Sequence, residues 1–424
     1  MRFNTLEQWL SWQENLHTSE IDMGLDRVRE VAERMQLLSP NCQVLSIAGT
    51  NGKGSCVASV EALCLDQGVS VGSFTSPHLL RYNERIKINA EQVSDQQICE
   101  SFERIDQARK DISLTYFEFG TLAAIDIIAR AQVDVMVLEV GLGGRLDAVN
   151  IMDADVAVVT SIAVDHEQWL GSDISVIGHE KAGIYRPHKW AICADEQAPA
   201  SVADHAHNIG AYWVAMGMSL NMSLQDDDFG DEQSWSWSGV TSDGDLLELN
   251  RLPVPSLPLP SVAAALQAFV LLGFSLPKDP SALMSSLALA GRAEVIQHEG
   301  VEVMLDVAHN PAASELLAER LATHPPHGRN FVVLAMMEDK DRGGVLRPLQ
   351  PYISQWFLAD LPDNPRAATA DQLEADLMSL GADGKGYTSV ADALAAALSQ
   401  AGEYDRVLVM GSFFTVAEAL EILQ

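Results

Sequence analysis

At 424 residues the chain exceeds the length at which one hydrophobic core stops growing, and 47% hydrophobic with 20% charged residues is globular composition, so two domains are expected. Its 59 acidic against 27 basic residues leave a net charge of −32, which opposes nucleic acid and anionic membranes, and no apolar run approaches the roughly 20 residues of a membrane-spanning helix. Five dispersed cysteines without a C-x-x-C pair argue against a zinc cluster or disulfide framework, Met1–Leu10 lacks the apolar run of a signal peptide, and a cytoplasmic protein is expected.

So negative a chain can hold an anionic ligand only where local groups override the field. Val44–Ala48 reads as a short buried strand, Gly49-Thr50-Asn51-Gly52-Lys53-Gly54-Ser55 as a glycine loop, and Cys56–Gln67 as a helix. Glycines let backbone N–H groups turn toward a phosphate, the helix presents its positive end, and Lys53 adds a point charge for terminal phosphates. The loop departs from G-x-x-x-x-G-K-[ST], because Ile47 replaces the first glycine and Gly54 separates Lys53 from Ser55. A tight strand–helix connection without a ligand is the plainer alternative, and Lys53 argues against it.

Further strands end in chemistry-bearing residues. Val71–Thr75 runs into Ser76-Pro77-His78-Leu79 and Arg81–Ile86, which alone reads equally as a simple turn. Leu114–Gly120, with Thr115 and Phe117, opens a helix reaching Arg130; its aromatic rings suit either stacking on a flat heterocycle or packing a helix start. Val133–Val140 is a compact apolar strand with Glu139 near its end, followed by Gly141–Asp147. Ligands of doubly wound sheets sit at the C-terminal strand edge, so Glu139 is placed to reach magnesium on nucleotide phosphates, the alternative being a solvated acid. Val156–Ser161 then leads to Asp165-His166, whose histidine is by spacing alone a cap or a ligand, and Gly178–Ile184 carries Lys181.

From Pro199 to Asn250 polar and acidic residues accumulate, as in Gln225–Glu232, with strand-like pieces at Tyr212–Ala215 and Leu246–Leu249 and no assignable chemistry. Pro253–Pro260 leads into an apolar helix, Val262–Leu272. Downstream, strand Val301–Asp306 meets the Asn310-Pro311 helix-start turn and helix Ala312–Ala322. Strand Phe331–Ala335, helix Gly343–Leu349, strand Gln355–Leu358, helices Ala370–Leu380 and Val390–Gln400, strand Val407–Met410 and a final helix predict a second α/β domain.

The spelling G-T-N-G-K-G-S resembles the ATP loop of the Mur ligase superfamily, especially its folylpolyglutamate synthase branch, and blocks from Gly49 to Val416 follow in that branch's order. The resemblance implies a P-loop ATPase domain with a mostly parallel sheet over residues 1–286 and a smaller Rossmann-like α/β glutamate-ligase domain over 287–424. It implies ATP contacts from Gly49 through Ser55 and from Arg292, Asp306 and His309 in G-R and D-x-A-H-N-P blocks. Magnesium, as two ions, falls to Ser76 of S-P-H-L, Glu139 and His166 of D-H-x-x-x-L-G; Lys181 of E-K-A-G is a candidate for carbamylation. Lys53, Lys181 and His166 carry the catalytic roles.

Thr115, Phe117 and Asp147 in the T-Y-F-E-F and G-L-G-G-R-L-D blocks resemble pterin-contacting segments of the bifunctional bacterial type, with Phe117 stacking and Asp147 accepting hydrogen bonds from the ring. Arg81 and Arg366 complete the implied substrate set. An asparagine is expected where Ser261 stands, which puts that nucleotide contact in doubt.

The implied reaction passes the γ-phosphate of ATP to a carboxylate of dihydropteroate or a reduced folate, and the amine of L-glutamate attacks the acyl phosphate in a site closed to water. A monomer working on small molecules is expected. A single-activity folylpolyglutamate synthase and another Mur-type amino acid ligase remain open alternatives. A P-loop GTPase or kinase would be expected to carry an N-K-x-D motif, which is absent, and a non-enzymatic scaffold to have lost Lys53, Glu139 or His166.

Overall fold

The computed structural model describes residues 2–19, 21–225 and 233–424; the acidic stretch 226–232 lies outside them. Chain contacts divide it into two compact units, Met1–Leu287 and Ala288–Gln424. No helix among the described residues is long and apolar enough to cross a membrane.

The first unit is built on eight strands: β1 (Gln43–Ala48), β2 (Val71–Phe74), β3 (Ile86–Ile88), β4 (Glu91–Gln92), β5 (Val135–Glu139), β6 (Val156–Val159), β7 (Trp190–Cys193) and β8 (Tyr212–Ala215). Their order is β4-β3-β2-β5-β1-β6-β7-β8, parallel except for β3 and β4 at one edge. Strands buried on both faces read as unbroken apolar runs, which is why Val-Met-Val-Leu and Val-Ala-Val-Val are legible. From β1 the chain steps toward β2 on one side and later toward β6 on the other, so the crevice above β1 is a topological switch point.

Beside this sheet, β9 (Asn221–Gln225), β10 (Ser234–Val240) and β11 (Leu246–Pro253) form an antiparallel sheet. Trp235 and Trp237 are buried on it, and the Trp237 indole donates to the Ala263 carbonyl (3.0 Å). The buried Gln267 accepts from the Val240 amide (2.9 Å) and donates to its carbonyl (2.7 Å), pinning the small sheet to the helix Leu259–Leu271. That helix packs on the helix Lys53–Asp66 behind the glycine loop.

The second unit has β12 (Glu294–His298), β13 (Val301–Asp306), β14 (Asn330–Leu334), β15 (Gln355–Ala359), β16 (Gly384–Tyr387) and β17 (Arg406–Met410), in the order β12-β13-β17-β14-β15-β16. All pairings are parallel except β12 with β13. The expected α/β fold with mostly parallel sheets holds in both units.

Several local expectations need correcting. The first long helix begins at Lys53, not Cys56, because Gly52 adopts the left-handed conformation that ends the loop. The adjoining helix begins at Leu259, not Val262, since Pro260 fits a helix's first turn. Between the two helices expected in succession lies β16, whose Gly-Lys-Gly-Tyr sequence has no apolar run to betray an edge strand.

Candidate active site

At the tip of β1 the backbone is held by groups far away in sequence. The Thr50 amide donates to the Ser161 carbonyl (2.7 Å), the Asn51 amide to Ser161 Oγ (3.0 Å), and Thr160 Oγ1 donates to the Asn51 carbonyl (2.7 Å). Gly49 and Gly52 have φ of +147° and +83°, and a Cβ would come within 1.9 Å of Thr160 Oγ1 at the first and 2.3 Å of Ser261 Oγ at the second. Both positions therefore require glycine. Lys53 folds back over the loop, its ammonium donating to the carbonyls of Gly49 (3.1 Å) and Thr50 (3.2 Å). Gly54 and Ser55 lie in the helix's first turn, and the buried Ser55 Oγ has no hydrogen-bond partner within the protein.

Gly49, Thr50 and Lys53 line one side of a cleft whose other walls are the Val140–Gly143 backbone, Asp165, His166 and Lys181. His166 is exposed and left-handed (φ 54°) at the start of the short helix Glu167–Leu170. Lys181 is buried, and desolvation with the charge of Lys53 pushes its amine down to about 7 while Asp165 pulls the other way. Glu139, at the end of β5, is buried and accepts the Ser76 amide at 3.2 Å. Ser76 precedes Pro77 through a cis peptide bond.

A second cluster adjoins the cleft at Gly141. A Cβ there would lie 2.5 Å from the Phe117 ring, so the half-buried ring rests directly on this backbone. Asp147 is buried and accepts the amides of Gly141 (3.1 Å), Leu142 (2.9 Å) and Val149 (2.9 Å). Burial raises its carboxyl to about 6 against those bonds and Lys53. Thr115 caps the helix Tyr116–Ala131 in a reciprocal box with Glu118. Arg81 lies further out, its side chain 66% exposed and 3.7 Å from Asp95.

In the second unit Asp306 accepts the amides of Ala293 (2.9 Å) and Ala308 (2.8 Å), and burial raises its carboxyl against the pull of Arg292. Arg292 sits 5.1 Å over the Phe413 ring, and His309 Nδ1 lies 2.8 Å from the Val307 carbonyl oxygen. Arg366 is exposed, 3.5 Å from Asp339.

The structure thus gathers Lys53, His166 and Lys181 at one cleft, Ser76 with Glu139, and Phe117 with Asp147 at Gly141. Sequence reasoning missed Thr160, Ser161 and Asp165, whose signal was their place just beyond β6, next to β1. Among the described residues no three His, Cys, Asp or Glu side chains converge to hold a metal ion. The donor set suits magnesium nonetheless, since that ion is held by one or two carboxylates, water and substrate phosphates rather than by a protein cage. Ser55 Oγ, buried without a partner, and the glycine cradle fit a metal–phosphate group on the loop.

Residues 291–413 match the family described as Mur ligase, glutamate ligase domain. The dihydrofolate synthase/folylpolyglutamate synthase of Escherichia coli strain K12 is 44% identical over 421 residues, covering 99% of this chain and 95% of that protein. The E. coli FolC in complex with DHPP and ADP superposes with a TM-score of 0.92 at 43% identity, over 99% of this chain and 97% of that one. The bifunctional enzyme of Yersinia pestis complexed with AMPPNP and Mn ion gives 0.91 at 40% identity, over 99% and 98%.

Proposed function

Because the chain belongs to the dihydrofolate synthase/folylpolyglutamate synthase family, an ATP-dependent ligase joining glutamate to folates, we propose how its own residues carry out that reaction. The observation that carries the reading is the loop tip, where Lys53, a partnerless Ser55 hydroxyl and two obligatory glycines surround a space at a helix N-terminus. Relatives with this fold hold ADP, or AMPPNP with manganese.

Residues Gly49–Ser55 bind the phosphates of ATP through backbone N–H groups, and Lys53 neutralises charge that grows on the γ-phosphoryl group as it transfers. Ser55, Ser76, Glu139 and His166 would hold magnesium, which when bound screens the phosphates and polarises the transferring group. A second ion calls for another anionic ligand, and Lys181 supplies one if carbamylated. With its amine near 7, a neutral, carbon-dioxide-reactive form is populated at neutral pH. Phe117, Gly141, Thr115 and Asp147 wall the pterin, with Arg81 beside the acceptor. The same reading gives Arg292, Asp306 and His309 nucleotide contacts and Arg366 a contact with glutamate.

The substrate carboxylate takes the γ-phosphoryl group to become an acyl phosphate, and the glutamate amine displaces phosphate from the acyl carbon. Dihydropteroate presents its benzoate carboxylate and a reduced folate the γ-carboxylate of its glutamate, so the same acyl-phosphate chemistry serves both activities, and the working unit is a monomer. ADP release measured with dihydropteroate and with tetrahydrofolate, each with and without L-glutamate, tests this. Release with both acids, dependent on glutamate, is expected; release with tetrahydrofolate alone reduces the chain to a single-activity enzyme, and release without any acid contradicts the reading.

A further inference from the structure

Beyond the last parallel pair of β6 and β7, Val159 with Cys193, one more backbone rung follows, in which the Ala194 amide donates to the Val159 carbonyl (2.9 Å). The next link is made by a side chain: Asp195 Oδ2 accepts the Ile162 amide at 2.9 Å. The other carboxylate oxygen, Oδ1, accepts the Gln197 amide at 2.9 Å, a local turn that fixes the side chain. That turn is complete without Ile162, which lies 33 residues away, so the longer link serves something besides the loop after β7.

On its opposite side the segment that Asp195 holds meets the glycine loop. The Ala163 amide donates to Thr50 Oγ1, and that hydroxyl donates back to the Ala163 carbonyl, both at 3.0 Å. Thr160 Oγ1 and Ser161 Oγ both donate to the Asn51 carbonyl, at 2.7 and 3.1 Å. Thr160, Ser161 and Ala163 thus grip the loop, and Ile162 between them is gripped by Asp195. The same stretch of chain runs on to Asp165 and His166 in the wall of the cleft.

We propose that Asp195 is a positioning residue for the nucleotide: through Ile162 it sets the place of the Thr160–Ala163 segment, and through that segment the place of Thr50 and Asn51 in the loop. The carboxylate works through the segment and not on the reacting atoms. A loop braced in this way before its ligand arrives needs no reordering when phosphate binds, so loss of the brace falls on nucleotide affinity. Gly141 and Asp147 follow β5, on the other side of β1 from β6 and β7, so acceptor binding is expected to hold. Asp195 has this role only if Gly49–Ser55 bind phosphate, as proposed above.

The test is calorimetric titration with ADP in the absence of metal, together with initial-rate kinetics of dihydropteroate-dependent ADP release. The variants are Asp195→Ala, Asp195→Asn, Thr50→Val and the double variant of Asp195→Ala with Thr50→Val, each also followed by thermal unfolding. Asp195→Ala is expected to raise the Kd for ADP and the KM for ATP about 5-fold, the scale of one lost hydrogen bond, while the KM for dihydropteroate stays within about twofold. Asp195→Asn, which keeps one acceptor oxygen, should lose less. Because Asp195 and Thr50 grip the same segment, the double variant should weaken ADP binding by less than the product of the two single effects. A folded Asp195→Ala with unaltered ADP affinity overturns the proposal, as do a loss shared equally with dihydropteroate and single effects that simply multiply. Should Asp195→Ala fail to fold, Asp195→Asn, alone and with Thr50→Val, decides by the same criteria. Lys53→Ala separates the two readings: unaltered turnover there removes the phosphate loop itself, whatever Asp195 does.

Discussion

Every α-helix of the second unit begins on a side chain that accepts a hydrogen bond from its own first turn: Asn310 from Ala313, Asp341 from Gly344, Thr369 from Gln372, Ser389 from Asp392 and Ser412 from Thr415. The helix Lys53–Asp66 of the first unit begins instead on Gly52, with no side chain to offer. Helix starts leave N–H donors without intrahelical partners, and a capping side chain satisfies one of them internally. The difference teaches where the chain secures stability and where it reserves binding capacity. Capped starts serve folding, and on the proposed reading the glycine start keeps its donors for an anion.

That contrast can be broken most forcefully at Lys53. Lys53→Ala should lower kcat/KM for ADP release by about 10³-fold, because a preorganised charge on the transferring group is lost, with the melting temperature nearly unchanged. A variant keeping more than a tenth of wild-type turnover would remove the loop from the chemistry.

Gly52→Ala tests the cap itself. A side chain at φ +83°, with its Cβ 2.3 Å from Ser261 Oγ, should destabilise the fold by about 1–2 kcal/mol and raise the KM for ATP severalfold, read by urea unfolding and initial rates. An unchanged ATP KM would mean that the glycine start serves the turn alone.

Lys181 sharpens the comparison through pH. Its amine, lowered to about 7 in the folded protein against an ordinary 10.5, binds fewer protons than in the unfolded chain between those values. The resulting stability is complete above the unfolded value and is lost as pH falls through about 7. Metal-free and carbonate-free wild type should therefore gain stability relative to Lys181→Met between pH 7 and 10 in urea denaturation; a constant difference would show an amine with an ordinary pKa.

The smallest effect belongs to the capped unit. Thr369→Ala should cost about 1 kcal/mol of stability and leave kcat and the KM for ATP unaltered, checked by thermal unfolding and steady-state rates. Loss of activity beyond loss of folded protein would blur the division between the two kinds of helix start.

How much of this is legible in the sequence follows from how local each feature is. Buried parallel strands announce themselves as apolar runs, and the loop announces itself by glycines and a lysine within a few residues. Edge strands do not: β16 has two glycines among four residues. Within the site, the Thr160–Asn51 bond joins residues 109 apart and the Ser76–Glu139 bond residues 63 apart, so neither leaves a local pattern. The proposed metal set is legible only as separate strand ends. That Ser76 meets Glu139 while His166 and Lys181 share the cleft is a product of strand order.

The central claim is phosphoryl transfer to a carboxylate, and isotope transfer tests it most directly. With dihydropteroate labelled by oxygen-18 in its carboxylate, ATP and L-glutamate, each amide bond formed should deliver one labelled oxygen to the released inorganic phosphate. Unlabelled phosphate accompanying amide formation would contradict an acyl phosphate, and with it the part that Lys53 and its loop play in making one.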